Sequence, residues 1–154
     1  MQKNYFMQLA IKQAKLAFEI DEVPVGAIIV ENNQIIAQAH NYCKMQNIAT
    51  SHCELIAIEK ACKIKNSRYL SNCDIYISLE PCLMCYGAIS LARIRRIFFG
   101  ANDEKFGAIS NNFNFSSPNL AYHKPEIYGG IGAQESIELL QKFFQVKRLN
   151  NAKI

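Results

Sequence analysis

The sequence contains no internal repeat, no low-complexity tract, no linker-like stretch and no segment that reads as a secretory signal. The first absences leave a single domain, 1–154, as the expected organisation. Its opening stretch is too interrupted to cross a membrane. It also makes a poor transit peptide, because Lys3, Lys12 and Lys15 are followed by Glu19, Asp21 and Glu22 with no arginine. Without a secretory signal, the six cysteines (Cys43, Cys53, Cys62, Cys73, Cys82 and Cys85) read as thiols of a reducing cytoplasm, not as a disulfide framework. Charge is scarce as well, at 19% of residues, and the net +4 permits a polyanionic partner without demanding one. What is plentiful is apolar residue, 50% of the 154, enough for a sizeable core.

Between Asn4 and Ile20 the apolar residues Phe6, Leu9, Ala10, Ala14, Ala17 and Phe18 recur at three- and four-residue steps, which predicts a helix with one buried stripe. Val25 to Val30 is apolar throughout and Gln34 to Ala39 follows after Asn32-Asn33, the pattern of a hairpin with a two-residue turn. Asn41 to Ser51 has no periodicity and reads as a loop. A helix is expected from His52 to about Asn66, a strand over Asp74 to Leu79, a helix over Cys82 to Ala92 and a strand over Arg95 to Gly100. The strand, helix, strand run implies parallel pairing. Ala101 to Lys124 reads as a long irregular excursion. A short strand near Glu126 to Tyr128 and a helix from about Ala133 to Leu149 complete an α/β three-layer sandwich, a mixed five-stranded sheet with helices on both faces.

The chemistry is concentrated at two helix starts. Pro81 suits the first turn of a helix, where its missing N–H is not needed, so Cys82 and Cys85 should share one face of that turn. The positive end of a helix favours their thiolate forms. His52-Cys53-Glu54 opens the preceding helix with an imidazole and a carboxylate. Three protein ligands, His52, Cys82 and Cys85, would leave a tetrahedral zinc one open position, where water is acidified towards a pKa of about 7. Positions i and i+2 do not share a helix face, so the metal should lie over the helix ends with Glu54 beside the water as general acid and base. The alternative is a closed structural zinc with Cys43, Cys53 or Cys73 as fourth ligand, in which Glu54 has no purpose. Cys53, as a helical neighbour of His52, should point about 100° away from it.

His-x-Glu followed by Pro-Cys-x-x-Cys is the signature of zinc deaminases that act on a flipped base. The chain resembles the bacterial tRNA-specific adenosine deaminases, the TadA family, over nearly its whole length. Beyond the zinc motifs the likeness rests on Val23-Pro24-Val25-Gly26-Ala27, Asn41, Arg93 to Ala101, Asp103-Glu104-Lys105-Phe106-Gly107-Ala108 and Phe143-Phe144. It implies a cytidine deaminase-like fold with one zinc per subunit. It also implies hydrolytic conversion of adenosine to inosine at the tRNA wobble position, with loss of ammonia, and a homodimer in which both subunits touch the anticodon stem-loop. By the same resemblance Asn41 hydrogen-bonds the target nucleotide, Val25 and Leu79 line the base pocket, Asp103 and Lys105 belong to the substrate loop, and His123, in preference to His40, touches substrate. Val25 and Leu79 could equally be core residues.

Phe143 and Phe144 beside Lys142, Lys147 and Arg148 combine rings and basic groups in the way that suits stacking on unpaired bases and phosphate contact, with a core role for the rings as the alternative. Arg93, Arg95 and Arg96 read as a solvated helix end. The chain departs from the family before the metal histidine, where Ile48-Ala49-Thr50-Ser51-His52-Cys53-Glu54 replaces the usual Asp-Pro-Thr-Ala-His-Ala-Glu. Losing that Asp-Pro turn should relax the loop presenting Asn41 and His52. Two rivals share the metal residues: a deaminase of free bases or nucleosides, and a non-catalytic RNA-binding module stabilised by zinc.

Overall fold

The computed structural model describes residues 2–113 and 123–151. A first helix, α1 (Gln2–Glu19), leads into the hairpin β1 (Gly26–Glu31) and β2 (Gln34–His40). Asn32 and Asn33 both take positive φ, 49° and 65°, as a two-residue turn that matches strand twist requires. A one-turn helix, α2 (Cys43–Gln46), and α3 (Cys53–Lys65) precede β3 (Cys73–Leu79), α4 (Leu83–Leu91) and β4 (Arg96–Ala101). The chain closes with β5 (Glu126–Tyr128) and α5 (Ala133–Asn151).

The strands form one sheet in the order β2-β1-β3-β4-β5. β1 runs antiparallel to β2 and β3, whereas β3, β4 and β5 are mutually parallel, so the sheet is mixed and five-stranded as predicted. Alternation along each strand feeds two cores. On one face, Ala27, Ile29, Ile75, Ile77, Ile97 and Phe99 pack with Cys53, Ala57 and Ala61 of α3 and Tyr86 and Ile89 of α4. On the other, Ile28, Val30, Tyr76 and Phe98 meet Phe6, Met7, Ala10 and Ile11 of α1. α5 joins the α1 side, its Phe143 ring standing edge-on to Phe18 at 5.7 Å. Gly26 lets α1 lie against β1: a Cβ there would stand 2.2 Å from the Ala10 carbonyl oxygen.

Several sequence expectations change. The segment 41–51 is not a relaxed loop. It contains α2 and is held by Tyr42 N–H on the Ser51 carbonyl (3.0 Å), Ile48 N–H on Cys43 (3.0 Å), Ser51 Oγ on Gln46 Oε1 (2.7 Å) and Met45 N–H on the buried Glu22 carboxylate (2.7 Å). These bonds tie the segment to itself and to Glu22. Pro81 stands outside α4, because Cys82 is extended (φ −71°, ψ 170°) and caps the helix. Of the predicted excursion, 102–113 is a series of turns, while 114–122 lies outside the described residues.

Arg95 and Arg96 are not a solvated helix end. Both guanidiniums grip the Asp74 carboxylate in bidentate fashion, Arg95 at 3.0 Å through both nitrogens and Arg96 at 2.9 and 2.5 Å. Burial works to raise the Asp74 pKa, but the two arginines outweigh it and hold the carboxyl below its ordinary value. A carboxyl whose folded pKa is depressed adds stability that is complete above its unfolded value of about 3.9 and disappears as pH falls through the folded one. Asp74→Asn is therefore expected to lower unfolding free energy at neutral pH by about 2 kcal/mol. In urea titrations the gap to wild type should close below about pH 4, and a gap that stays constant into acid would contradict this origin.

Candidate active site

The N-termini of α3 and α4 meet on the same face of the sheet, and each begins on a residue whose backbone is extended and whose side chain takes no part in capping. His52 caps α3 and Cys82 caps α4, while Cys85 lies in the first turn of α4. His52 Nδ1 stands 3.8 Å from Cys82 Sγ and 3.5 Å from Cys85 Sγ. A tetrahedral ion about 2.3 Å from each sulfur and about 2.0 Å from nitrogen would set those donors about 3.5–3.8 Å apart. The trio thus fits a metal in both donor chemistry and spacing. All three donor atoms lie within 4.8 Å of one another, and among the described residues this is the cluster of that kind.

Of the three donors, Cys82 is the one whose surroundings favour the deprotonated form a metal ligand needs. Contact with the Cys85 thiol, and then with His52, takes Cys82 down to about 4 against the opposing effect of burial. The neighbouring Cys82 and burial push Cys85 upward. The Cys82 contact raises His52.

Glu54, in the first turn of α3, is 3% exposed and takes no place in the donor cluster. Burial raises the pKa of its carboxyl from the ordinary value, the direction that suits a group meant to pick up a proton and give it back. The thiol of Cys53 donates to its Oε2 at 3.2 Å. Cys53 therefore faces the core and the carboxylate, not the metal cluster. Cys43 lies 3.8 Å from the Ala49 carbonyl, and Cys73 begins β3, at the end of that strand away from Cys82. No fourth protein ligand joins the trio among the described residues, so the closed structural site finds no support.

Asn41 has a role that sequence reasoning did not reveal. His52 makes no side-chain cap for α3, and Asn41 supplies it across twelve residues, its Oδ1 accepting the Cys53 N–H at 2.9 Å. Its Nδ2 donates to the Val23 carbonyl at 3.1 Å, leaving one N–H and one lone pair of the amide for another partner. Val25 is buried in the core beside it, its carbonyl accepting the Asn41 N–H at 3.1 Å, and Leu79 packs half-buried on the same core at the end of β3. Asp103 uses its Oδ1 to accept the N–H groups of Lys105 (3.0 Å) and Phe106 (3.1 Å), while the Lys105 side chain is exposed.

Two predicted substrate contacts are placed differently. Phe143 is 6% exposed and its ring packs against Phe18 of α1, because α5 needs that ring to seat itself. Phe144, at 45%, and Arg148 are the outward pair. Lys147 is half-buried and ion-paired with Asp21, which Lys44 also contacts. His123 is tied to the far end of α4: its Nε2 lies 2.8 Å from the Ile94 carbonyl and its own carbonyl accepts from Ser90 Oγ at 2.6 Å. Within one chain it stands apart from the trio. The His40 ring turns back on the Asn41 carbonyl at 2.9 Å.

The chain is similar to deaminases in sequence and in structure. A family model for MafB19-like deaminases matches residues 1–148. The tRNA-specific adenosine deaminase of Rickettsia bellii is 47% identical over 141 residues, covering 90% of this chain and 97% of that protein. A solved structure from work on A-to-I editing by tRNA:A34 deaminases at the wobble position of transfer RNA superposes with a TM-score of 0.84 at 42% identity, over 88% of this chain and 99% of the other. A guanine deaminase structure from Bacillus subtilis is more distant, with a TM-score of 0.62 at 36% identity over 73% of this chain and 71% of the other.

Proposed function

The chain belongs to the tRNA-specific adenosine deaminases, and from that membership we propose that it hydrolyses the wobble adenosine of a tRNA anticodon to inosine with Glu54 as proton carrier and His52, Cys82 and Cys85 as ligands to one zinc. Zinc held there supplies a water that is nucleophilic at neutral pH. Glu54 would take a proton from the attacking water and deliver it to the purine as the amino group departs as ammonia. The observation that carries this reading is the buried Glu54 beside three convergent metal donors, its carboxyl raised by burial. The helix N-termini favour thiolate ligands and the developing negative charge alike.

Asn41 offers its remaining N–H and lone pair to the base, with Val25 and Leu79 as apolar walls. A base enters this pocket only after leaving the anticodon stack. Phe144 and Arg148 extend the RNA surface along α5. Arg148→Ala is expected to weaken stem-loop binding and to reduce the slope of log affinity against log salt by about 0.7, the release from one single-strand phosphate contact. Lys147→Ala should change that slope less, since Asp21 already neutralises it. An unchanged slope for Arg148→Ala in filter binding across salt would remove that residue from the interface.

The subunits act as a homodimer in the cytoplasm. Leu83, Met84 and Leu91 leave an apolar outer face on α4, although Tyr86 of the same helix turns inward to the core. No helix among the described residues is long and apolar enough to cross a membrane. Depleting the protein and sequencing native tRNA tests the reading in the cell. Inosine at the wobble position should fall to unmodified adenosine, and unaltered inosine would refute the assignment.

A further inference from the structure

We infer that Glu80, which the deamination itself does not use, is a positioning residue that folds the loop 102–113 onto the Cys82 end of α4 and so sets how tightly the RNA is held. Glu80 follows the last residue of β3 and is 2% exposed. A carboxylate in such a place is costly unless its lone pairs are filled. Four donors fill them, all from one loop. Oε1 accepts the N–H groups of Ile109 (2.8 Å) and Ser110 (2.6 Å), and Oε2 accepts the Asp103 N–H (2.9 Å) and the Ser110 hydroxyl (2.5 Å). The loop is thus wrapped around an internal anion by its own amides.

The wrap leaves no space at its centre. A Cβ on Gly107 would lie 2.4 Å from the Glu80 carboxyl carbon, so a glycine is required there. The same residues then dock on the metal helix: Ala108 N–H donates to the Pro81 carbonyl at 3.0 Å, and Gly107 bridges to Cys82. On the outer edge stand the exposed Lys105 and a Phe106 ring that is 70% exposed, their backbone amides held by Asp103 Oδ1. A fixed basic and aromatic pair beside the site suits a phosphate and an unpaired base, and holding it in place before binding reduces the ordering cost. The inference rests on the reading of the substrate as RNA.

The test uses the zinc-loaded full chain and an anticodon stem-loop. Glu80→Gln keeps the side-chain size but turns an amide donor towards N–H groups. Its KM for the stem-loop is expected to rise at least about tenfold while kcat stays within about twofold and zinc content is unchanged. Amide exchange at Asp103, Ile109 and Ser110 should accelerate in parallel. Ser110→Ala removes one of the four donors and should move KM the same way by less, which decides the matter if the glutamine variant does not fold. An unchanged KM, a fall in kcat alone, or exchange as slow as in wild type overturns the inference. If wild type leaves the stem-loop untouched, the RNA reading fails, while the exchange measurement still decides whether Glu80 holds the loop.

Discussion

Glu54→Ala is expected to abolish turnover, by about 10²–10⁴-fold in kcat, without loss of metal or fold. The carboxylate sits beside the three donors but is not one of them, so metal content measured on the purified variant should equal that of wild type. Stability should hold or increase. Burial already raises this carboxyl, which means that ionising it in place works against folding, and alanine removes the conflict. The Cys53 thiol, 3.2 Å from the carboxylate, loses a weak acceptor contact. The result that sinks the proton-carrier role is activity close to wild type, or loss of metal together with activity.

Cys82→Ala removes one of the three proposed metal ligands and should cost both metal and activity, the latter by more than about 10³-fold. The fold should survive, because Cys82 starts α4 through its backbone, its carbonyl accepting the Tyr86 N–H at 2.8 Å, and makes no side-chain cap bond. Chelation of wild type should reproduce the same loss of activity, reversed by added zinc. It should also lower the melting temperature, since a metal that binds only the folded chain stabilises it. Full metal retention in Cys82→Ala, measured by atomic absorption, would overturn the ligand assignment.

What could be read from the sequence was local in the chain. The β-branched run Val25 to Val30, the Asn32-Asn33 turn and the helical periodicity of α1 carry their signals within a few residues, and the strand, helix, strand order then dictates parallel pairing. The convergence of His52, Cys82 and Cys85 was legible because their donor chemistry is rare and their spacing is tied to helix starts. Groups that act across the fold were not. Asn41 caps a helix twelve residues onward, Asp74 is gripped by arginines more than twenty positions away, and Glu80 gathers amides up to thirty residues downstream. Each looks like an ordinary polar residue until the sheet brings its partners near. Phe143 and Phe144 show the same limit at shorter range: adjacent residues lie about 100° apart on a helix, and only the seating of α5 on α1 decides which ring is core.

That this buried carboxylate and donor cluster act on an adenosine presented by tRNA is tested most directly by substrate choice. Ammonia release by the purified, zinc-loaded protein should be measured side by side with an anticodon stem-loop bearing a wobble adenosine, with free guanine and with cytidine. The account requires ammonia and inosine from the stem-loop and none from the free compounds. Efficient deamination of guanine or cytidine with the stem-loop left unchanged would contradict it.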